Sequence, residues 1–243
     1  MTWPGGRRLV AAAAGALLVV GATSAALLVR GPAPAPKDRP ELLLLSSLPI
    51  AFPEEFTLDA PRSPAMAALE DRYRVKPISV ADSRSLAGGS LLLMAQPQAQ
   101  PAEALVELDQ WVRKGGRLLL LADPILEWPS GRPLGDAARP PMAFADTGLL
   151  GHWGLRLDAP DRLGPASFTV DGRTVHALSP GTLVRTGGDC NLRLDGFIAD
   201  CRLGKGKATV IADADFIDVV RRSEPARSGN LQVLVAELAR VGE

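Results

Sequence analysis

The sequence predicts an α/β domain built on a doubly wound, mainly parallel sheet with helices on both faces. Two short, continuous apolar runs, Leu91–Ala95 and Leu118–Ala122, have the length of strands. Neither run alternates between apolar and polar residues, which is typical of parallel strands buried on both faces. Between them lies a segment of helical periodicity that stops at Gly115-Gly116. Together the three pieces predict a βαβ unit with a right-handed crossover.

The helix of this unit is marked at its start and along one face. Pro101 suits a first turn, where its missing N–H group would have had no partner. Apolar side chains at helical spacing line one face, namely Leu105, Leu108, Trp111 and Val112. We expect this face to cover the sheet.

The N-terminal segment is apolar and free of charge over Leu9–Val29. This run is about as long as the roughly 20 residues needed to cross a bilayer, so it predicts a transmembrane helix after a short cytoplasmic N-terminus of residues 1–8. A cleaved signal peptide is the alternative, because Arg7-Arg8 and the small residues around Ser24 imitate its regions. The prolines of residues 30–40 favour an extended linker to the domain.

The domain itself should cover residues 41–243 and begin with a buried strand at Glu41, in the sequence ELLLL. Ser63 suits the N-cap of a helix and Pro64 suits its first turn. The elements expected before the βαβ unit are that helix up to about Arg74, a strand at Val75–Val80 and a turn at Ser83–Gly89.

The second half of the chain has a different texture. Residues 125–166 are rich in proline and glycine and predict a loop with one short helix at Asp146–Trp153. Two hairpins follow, with turns at Asp171-Gly172 and Asp195-Gly196. We expect residues 125–205 to be an insertion between parallel strands. The chain should then return to the sheet at Ala208–Asp213 and end in a helix at Asn230–Arg240.

The two cysteines, Cys190 and Cys201, flank the second hairpin symmetrically. If Asp195-Gly196 is a two-residue turn, counting outward places them directly opposite each other. Opposed residues of an antiparallel pair have Cα atoms roughly 4.5–5.5 Å apart, which a disulfide accepts. We therefore expect a disulfide, which would indicate an oxidising compartment. Two free buried thiols are the alternative, since a shift of one residue in register would separate them.

Charge and motifs argue against several functions. The chain of 243 residues carries 27 basic and 27 acidic side chains, so no broad positive field for nucleic acid is expected. Gly204–Lys207 lacks the P-loop pattern and precedes a strand, which indicates a basic turn. No G-x-S-x-G serine elbow is present, and we expect His152 and His176 to be packing or surface residues. The sequence predicts no catalytic residue, no cofactor and no metal.

Carboxylates follow two of the predicted strands. Asp123 comes after the second strand of the βαβ unit, and Asp213 and Asp215 come after the last strand. Because parallel strands end at the same edge of a sheet, the three side chains could gather there and hold a hard cation such as Mg²⁺. The alternative is that each aspartate caps a turn or a helix. Together with Gln96, they are the candidate binding residues.

Several motifs follow one another in the order of a known family. They are Gln96-Pro97, Leu108–Val112, Gly115–Leu120, Asp123-Pro124, Leu149–Leu155, Gly204–Phe216 and Gly229-Asn230. In these motifs the chain resembles the auxiliary extracytoplasmic component of ABC-type transport systems, of the gliding-motility type. The resemblance implies a fold like that of class I glutamine amidotransferases, which place a cysteine nucleophile at a strand end. This chain has no cysteine at such a position.

The resemblance also implies partners and a location. An ABC-type permease and a separate ATPase subunit would be the partners, and the main domain would be periplasmic on a single-pass anchor in the cell inner membrane. The function expected is therefore a non-enzymatic, membrane-anchored auxiliary or binding module. The alternatives are a hydrolase or sugar-active enzyme that uses the aspartates at the sheet edge, and a ligand-binding module that acts without a transporter.

Overall fold

The computed structural model describes residues 39–54, 62–220 and 222–243. The predicted transmembrane segment, the N-terminus before it and the linker up to residue 38 lie outside this range. Within the described residues, no helix has both the length and the apolar character that a membrane span requires.

Seven strands form the main sheet, in the order β2-β1-β3-β4-β11-β10-β9. The first five of these are parallel, and β10 and β9 extend them as an antiparallel edge. The prediction of a mainly parallel sheet is confirmed. The strands are β1 (Glu41–Ser46), β2 (Arg74–Pro77), β3 (Leu91–Ala95), β4 (Arg117–Leu121), β9 (Cys190–Arg193), β10 (Ile198–Leu203) and β11 (Gly206–Ile211).

Five α-helices lie among the described residues: α1 (Pro64–Glu70), α2 (Ser83–Leu86), α3 (Ala102–Arg113), α4 (Leu149–Trp153) and α5 (Glu224–Gly242). They cover both faces of the sheet. On one face Leu44 of β1 belongs to a core with Leu69 of α1 and Leu234 of α5. On the other face Leu43 belongs to a second core with Leu108 of α3. Because both faces are covered, alternate residues of β1 are equally buried, which accounts for its unbroken apolar sequence.

The βαβ unit agrees closely with its prediction. Leu108 and Val112 are buried, and the Trp111 indole N–H donates to the Gly89 carbonyl at 3.2 Å. Gly115 ends the helix with a φ of 124°, a conformation that favours glycine. A Cβ atom on Gly116 would approach the Trp111 ring to 2.3 Å, so the second glycine makes room for the indole.

The first helix is shorter than predicted, and the following strand is shifted. α1 ends at Glu70 because Arg74 pairs with Glu41 at the edge of the sheet, so the chain must turn before it. Ser63 and Pro64 occupy the predicted N-cap and first-turn positions, and the Ser63 side chain makes no capping hydrogen bond. β2 stops at Pro77, a residue without the N–H group that would continue a ladder. Inside the predicted turn lies α2, capped by Asp82, which accepts a hydrogen bond from the Ser85 N–H at 2.7 Å.

The hairpins divide between two structures, which corrects the prediction of one insertion. The first hairpin, β6 (Pro165–Val170) with β7 (Arg173–Leu178), turns at Asp171-Gly172 as predicted and forms a separate two-stranded sheet. The second hairpin, β9 with β10, is part of the main sheet because β10 pairs with β11. A further two-stranded sheet, which the sequence did not predict, is formed by β5 (Leu155–Asp158) and β8 (Thr182–Arg185).

The GKGK motif is the tight turn between β10 and β11. Leu203 pairs with Gly206, which leaves Gly204 and Lys205 as the two turn residues. Gly204 has a φ of 61°. A Cβ atom on Gly206 would lie 1.9 Å from the Val112 carbonyl oxygen, so α3 packs directly on this backbone. The interpretation as a turn rather than a phosphate-binding loop is confirmed.

Candidate binding site at the carboxyl edge of the sheet

The structure brings all four candidate binding residues to one edge of the sheet. Gln96 follows β3, Asp123 follows β4, and Asp213 and Asp215 follow β11. Each residue is at most 2% exposed. We call these four residues the acidic cluster. Because they are buried, a ligand could reach them only if the loops above them moved.

Gln96 is a structural partner of Asp123. Its backbone has a φ of 43°, and its amide side chain points at the neighbouring strand end. The side-chain Nε2 donates to the carbonyl oxygens of Asp123 at 3.1 Å and Pro141 at 3.2 Å, and Oε1 accepts from the Asp123 N–H at 2.9 Å. The Gln96 amide therefore satisfies both backbone groups of Asp123 where the β3–β4 ladder ends, and it also holds the Pro141 carbonyl of the loop above.

The aspartates are engaged in the same way. Asp123 accepts from the N–H groups of Ile125 at 2.9 Å, Ala214 at 2.9 Å and Asp215 at 3.3 Å. Asp213 accepts from Leu178 at 3.0 Å and Phe216 at 2.5 Å. Asp215 accepts from the Glu127 N–H at 2.7 Å. The capping role proposed as the alternative describes these contacts, because each carboxylate holds the start of a loop.

Burial raises the pKa of all three aspartates of the acidic cluster. Burial, and secondarily the charge of Glu127, raises the pKa of Asp123 against the effect of its hydrogen bonds. Burial and the charge of Asp123 raise the pKa of Asp213 well above its ordinary value. Burial raises the pKa of Asp215 to about 7, and nearby carboxylates including Asp123 contribute. The described residues contain no group of three or more His, Cys, Asp or Glu side chains arranged to hold a metal ion.

One buried polar residue beside the cluster was not identified from the sequence. Ser179 is fully buried at a φ of 48°. Its hydroxyl donates to the Glu127 carboxylate and accepts from the Gly164 N–H, the latter at 2.8 Å. The position before Pro180 indicates a turn and nothing more, so no local pattern could have revealed these contacts.

The two histidines lie outside the acidic cluster. His152 Nε2 is 3.5 Å from an Asp109 carboxylate oxygen on the face of the sheet that α3 covers. His176 Nδ1 is 3.1 Å from the Ser167 hydroxyl on the first hairpin. The backbone of His176 is held by the buried Asn230 side chain, which bonds both its N–H and its carbonyl group at 2.9 Å.

A cleft of about 560 Å³ opens beside the acidic cluster, at the ends of β1 and β3. In the strand order β2-β1-β3-β4, the chain leaves β1 toward one face of the sheet and leaves β3 toward the other. Ligands of doubly wound folds bind between the two strands at which the connections diverge in this way. The walls come from the loops that follow β1, β2, β3 and β4. We call this space the switch-point cleft. The sequence did not predict this cleft, because the order of strands in a sheet cannot be read from the residues of each strand.

Hydrogen bonds between loops shape the switch-point cleft. Gln98 Nε2 donates to the carbonyl oxygens of Ala137 at 3.2 Å and Arg139 at 2.7 Å. Arg132 donates to the Glu54 carbonyl at 2.8 Å. The Ser47 hydroxyl donates to the Gln96 carbonyl, which links the cleft to the acidic cluster. These hydrogen bonds therefore hold the walls of the cleft in place without a ligand.

Comparison with known families finds one match. A family model described as "ABC-type uncharacterized transport system" matches residues 39–163, which is just over half of the chain. These residues include the βαβ unit, Gln96, Asp123 and the loops around the switch-point cleft. No curated protein matches the chain.

Solved structures share the fold at low sequence identity. A cytoplasmic protein of Salmonella typhimurium matches with a TM-score of 0.54 at 11% identity, over 82% of this chain and 98% of its own. An exo-β-1,4-mannosidase of an Opitutaceae bacterium matches with a TM-score of 0.51 at 12% identity, over 84% of this chain. The match spans only 36% of the mannosidase. A β-galactosidase of a Rahnella species matches with a TM-score of 0.46 at 14% identity, over 84% of this chain and 32% of its own. At 11% and 12% identity, the likenesses to the Salmonella protein and the mannosidase concern the fold alone.

Proposed function

The chain belongs to the ABC-type uncharacterized transport system family, and we propose that it is a non-enzymatic, membrane-anchored binding module of such a system. The anchor is the apolar segment Leu9–Val29, and the domain after it is extracytoplasmic. An ABC-type permease and a separate ATPase subunit are its partners. The chain itself has no P-loop pattern, so nucleotide hydrolysis belongs to another subunit.

The acidic cluster is buried and hydrogen-bonded, whereas the switch-point cleft beside it is open, and this difference supports a binding function over a catalytic one. The oxygens of Asp123 and Asp213 accept hydrogen bonds from backbone N–H groups. The switch-point cleft next to them is open, and its walls are fixed by contacts between loops. A catalytic site needs a nucleophile or metal, a proton-transfer group and a stabilised oxyanion within hydrogen-bond reach of one another. A preformed cleft suffices for binding.

Co-purification of the whole chain tests the partnership. A tag after Glu243 is used to isolate the chain from membranes of its own cell, which contain the permease and ATPase subunits of its ABC-type transport systems. The proposal expects both subunits in the eluate, in fixed ratio. An equally tagged single-span protein of unrelated sequence is the control. Recovery of the chain without either subunit, from membranes in which both are present, would contradict the partnership.

A reporter fusion tests the topology separately. An alkaline phosphatase domain placed after Glu243 should be active, because that enzyme matures only outside the cytoplasm in an oxidising compartment. A fluorescent reporter that matures only in the cytoplasm should stay dark at the same position. The opposite pair of results would place the domain in the cytoplasm.

The enzymatic alternative depends on the acidic cluster. Asp215 is its best candidate for a proton-transfer group, because burial raises its pKa to about 7. Its Oδ2 already accepts from the Glu127 N–H, and no nucleophile from the described residues bonds to it. Hydrolysis of a sugar or ester substrate that is abolished by both Asp213→Asn and Asp215→Asn would establish the enzyme instead.

A further inference from the structure

We propose that the switch-point cleft binds a neutral saccharide. The inference deepens the function proposed above, because it names the ligand class of the binding module. It rests on the charge, the hydrogen-bonding groups and the aromatic surface of the cleft. Binding by the isolated full chain needs no permease, so its failure and the failure of the transporter partnership are distinguishable.

The charge of the cleft favours a neutral ligand. Among the described residues its lining contains one acidic residue, Glu54, and one basic residue, Arg132, so their charges sum to zero. The guanidinium of Arg132 lies 3.5 Å from the Asp136 carboxylate, outside the lining, and the Glu54 carboxylate accepts from the Gly131 N–H at 2.9 Å. A charged ligand of either sign therefore gains no net attraction from the described lining, and it would lose hydration on entry.

The polar side chains offer both donors and acceptors. Gln98 lines the cleft and uses its Nε2 on two carbonyl groups, which leaves Oε1 as an acceptor, since none of the hydrogen bonds among the described residues involves it. Gln100 uses Oε1 on the Ala81 N–H and one Nε2 hydrogen on the Gln98 carbonyl, which leaves a second N–H to donate. The Ser79 hydroxyl is exposed in the same wall and can do both. Hydroxyl groups match such a mixture, because each of them donates and accepts.

An exposed aromatic ring provides an apolar contact surface for the ligand. Phe52 lines the cleft and is 71% exposed, beside Pro49 and Pro53. A large apolar side chain held at the mouth of a polar cleft stabilises a ligand that covers it. The C–H face of a pyranose ring does so while its hydroxyl groups remain available to the glutamines. A purely apolar ligand would instead leave the polar groups of the wall without partners.

The cleft volume of about 560 Å³ lies within the range of small-molecule sites. It suits a mono- or disaccharide better than a polymer threaded through the domain, since the strand ends close its floor. Residues Leu44 and Leu45 of β1 form part of that floor. The cleft is therefore open on the loop side, where Phe52 is exposed.

Calorimetry with neutral disaccharides tests the proposal. The full chain is purified in a detergent without a sugar headgroup, and maltose, cellobiose and β-1,4-mannobiose are titrated singly. At least one should bind with a Kd below about 1 mM. The Phe52→Ala variant should weaken that binding about tenfold, and Phe52→Trp should retain it, because a larger aromatic face still covers the sugar ring.

Matched variants and probes decide the outcome. Gln98→Ala should weaken binding, whereas Gln232→Ala, an exposed glutamine outside the cleft, should not. Leu163→Ala, an apolar residue 69% exposed and outside the lining, is the control for Phe52→Ala. Binding of none of the three disaccharides would overturn the proposal. Tighter binding of a galacturonic acid disaccharide or of triglycine would overturn it as well, as would saccharide binding that Phe52→Ala and Gln98→Ala leave unchanged.

Discussion

Gln96 and Asp123 exchange two hydrogen bonds, in which the side-chain amide of the first pairs with the backbone of the second. The Asp123 N–H donates to Gln96 Oε1 at 2.9 Å, and Gln96 Nε2 donates to the Asp123 carbonyl at 3.1 Å. The side chain thus imitates one more residue of the β3–β4 ladder. It does so because the backbone of Gln96 turns away at a φ of 43°.

The Gln96→Ala variant should be destabilised by about 1–3 kcal/mol. It leaves the buried N–H group of Asp123 without its partner, whereas the Asp123 carbonyl keeps the Phe144 N–H at 2.6 Å. Urea unfolding of the variant and the parent gives the difference. Gln98→Ala is the control, because its side chain is exposed and bonds only carbonyl groups of a surface loop.

Gln96→Glu sharpens this test because it keeps the size of the side chain. A carboxylate can accept from the Asp123 N–H but cannot donate to the carbonyl groups of Asp123 and Pro141. We expect Gln96→Glu to be at least as unstable as Gln96→Ala at neutral pH. A variant as stable as the parent would show that the amide is not required at the strand end.

The strands β3 and β4 could be predicted from the sequence, but the hydrogen bonds between Gln96 and Asp123 at their carboxyl ends could not. β3 and β4 are recognisable because burial on both faces makes every residue apolar, from Leu91 to Ala95 and from Leu118 to Leu121. The roles of Gln96 and Asp123 depend on which strands are neighbours and on how each loop leaves the sheet. Those are long-range properties, and a local sequence pattern carries no record of them.

The acidic cluster should make the domain less stable as pH rises toward neutrality. The pKa of Asp215 is raised from 3.8 to about 7, so the folded state holds a proton that the unfolded state has lost between these values. A raised carboxyl pKa therefore stabilises the fold at low pH, and this contribution disappears as pH rises through about 7. The slope from one such group is at most about 1.4 kcal/mol per pH unit.

Asp215→Asn should reduce that slope. The amide oxygen can still accept from the Glu127 N–H, but the side chain no longer titrates. Unfolding in urea at several values between pH 5 and pH 7.5 measures the change. Asp158→Asn is the control, because Arg156 lowers the pKa of Asp158 and its titration falls below this window. Equal slopes for the parent and Asp215→Asn would contradict the raised pKa.

A buried ion network holds the last helix on the edge of the sheet. Arg193 of β9 bonds Glu237 of α5 through both guanidinium Nη atoms, at 3.1 and 2.7 Å, and bonds Asp200 of β10 at 2.7 Å. Glu237 is fully buried and the Arg193 side chain is 20% exposed. Glu237→Ala should lower the free energy of unfolding by about 3 kcal/mol, because it leaves a half-buried arginine with one partner fewer.

Two comparisons separate this network from ordinary ion pairs. Removal of both partners in Arg193→Leu with Glu237→Leu should restore most of the lost stability, since two apolar side chains carry no desolvation penalty. Arg156→Ala breaks an exposed pair with Asp158 and should change stability by less than about 1 kcal/mol. Equal losses for Glu237→Ala and Arg156→Ala in urea unfolding would show that burial adds nothing to the pair.

The second hairpin shows where counting residues succeeds and where it fails. The predicted register is confirmed, since Cys190 lies directly opposite Cys201. The predicted two-residue turn is wrong: four residues connect the strands, and Leu194, Asp195 and Gly196 all have positive φ. Both turns are centred on the same two residues, so the longer loop preserves the pairing. The place of this hairpin in the main sheet depends on pairing with β11, which its own sequence does not reveal.

A disulfide joins Cys190 to Cys201 across β9 and β10, with Cα atoms 4.0 Å apart. The bond closes a short loop, with a sequence separation of 11, so the chain-entropy model gives a contribution of about 2–3 kcal/mol to stability. The double variant Cys190→Ala with Cys201→Ala should lose about that amount in urea unfolding, and a reductant should weaken the parent but not the variant. Both sulfurs are buried, so reduction of the folded parent should be slow and should speed up in mild denaturant. Mass spectrometry that finds two free thiols in protein isolated from an oxidising compartment would contradict the bond, and with it one argument for an extracytoplasmic domain.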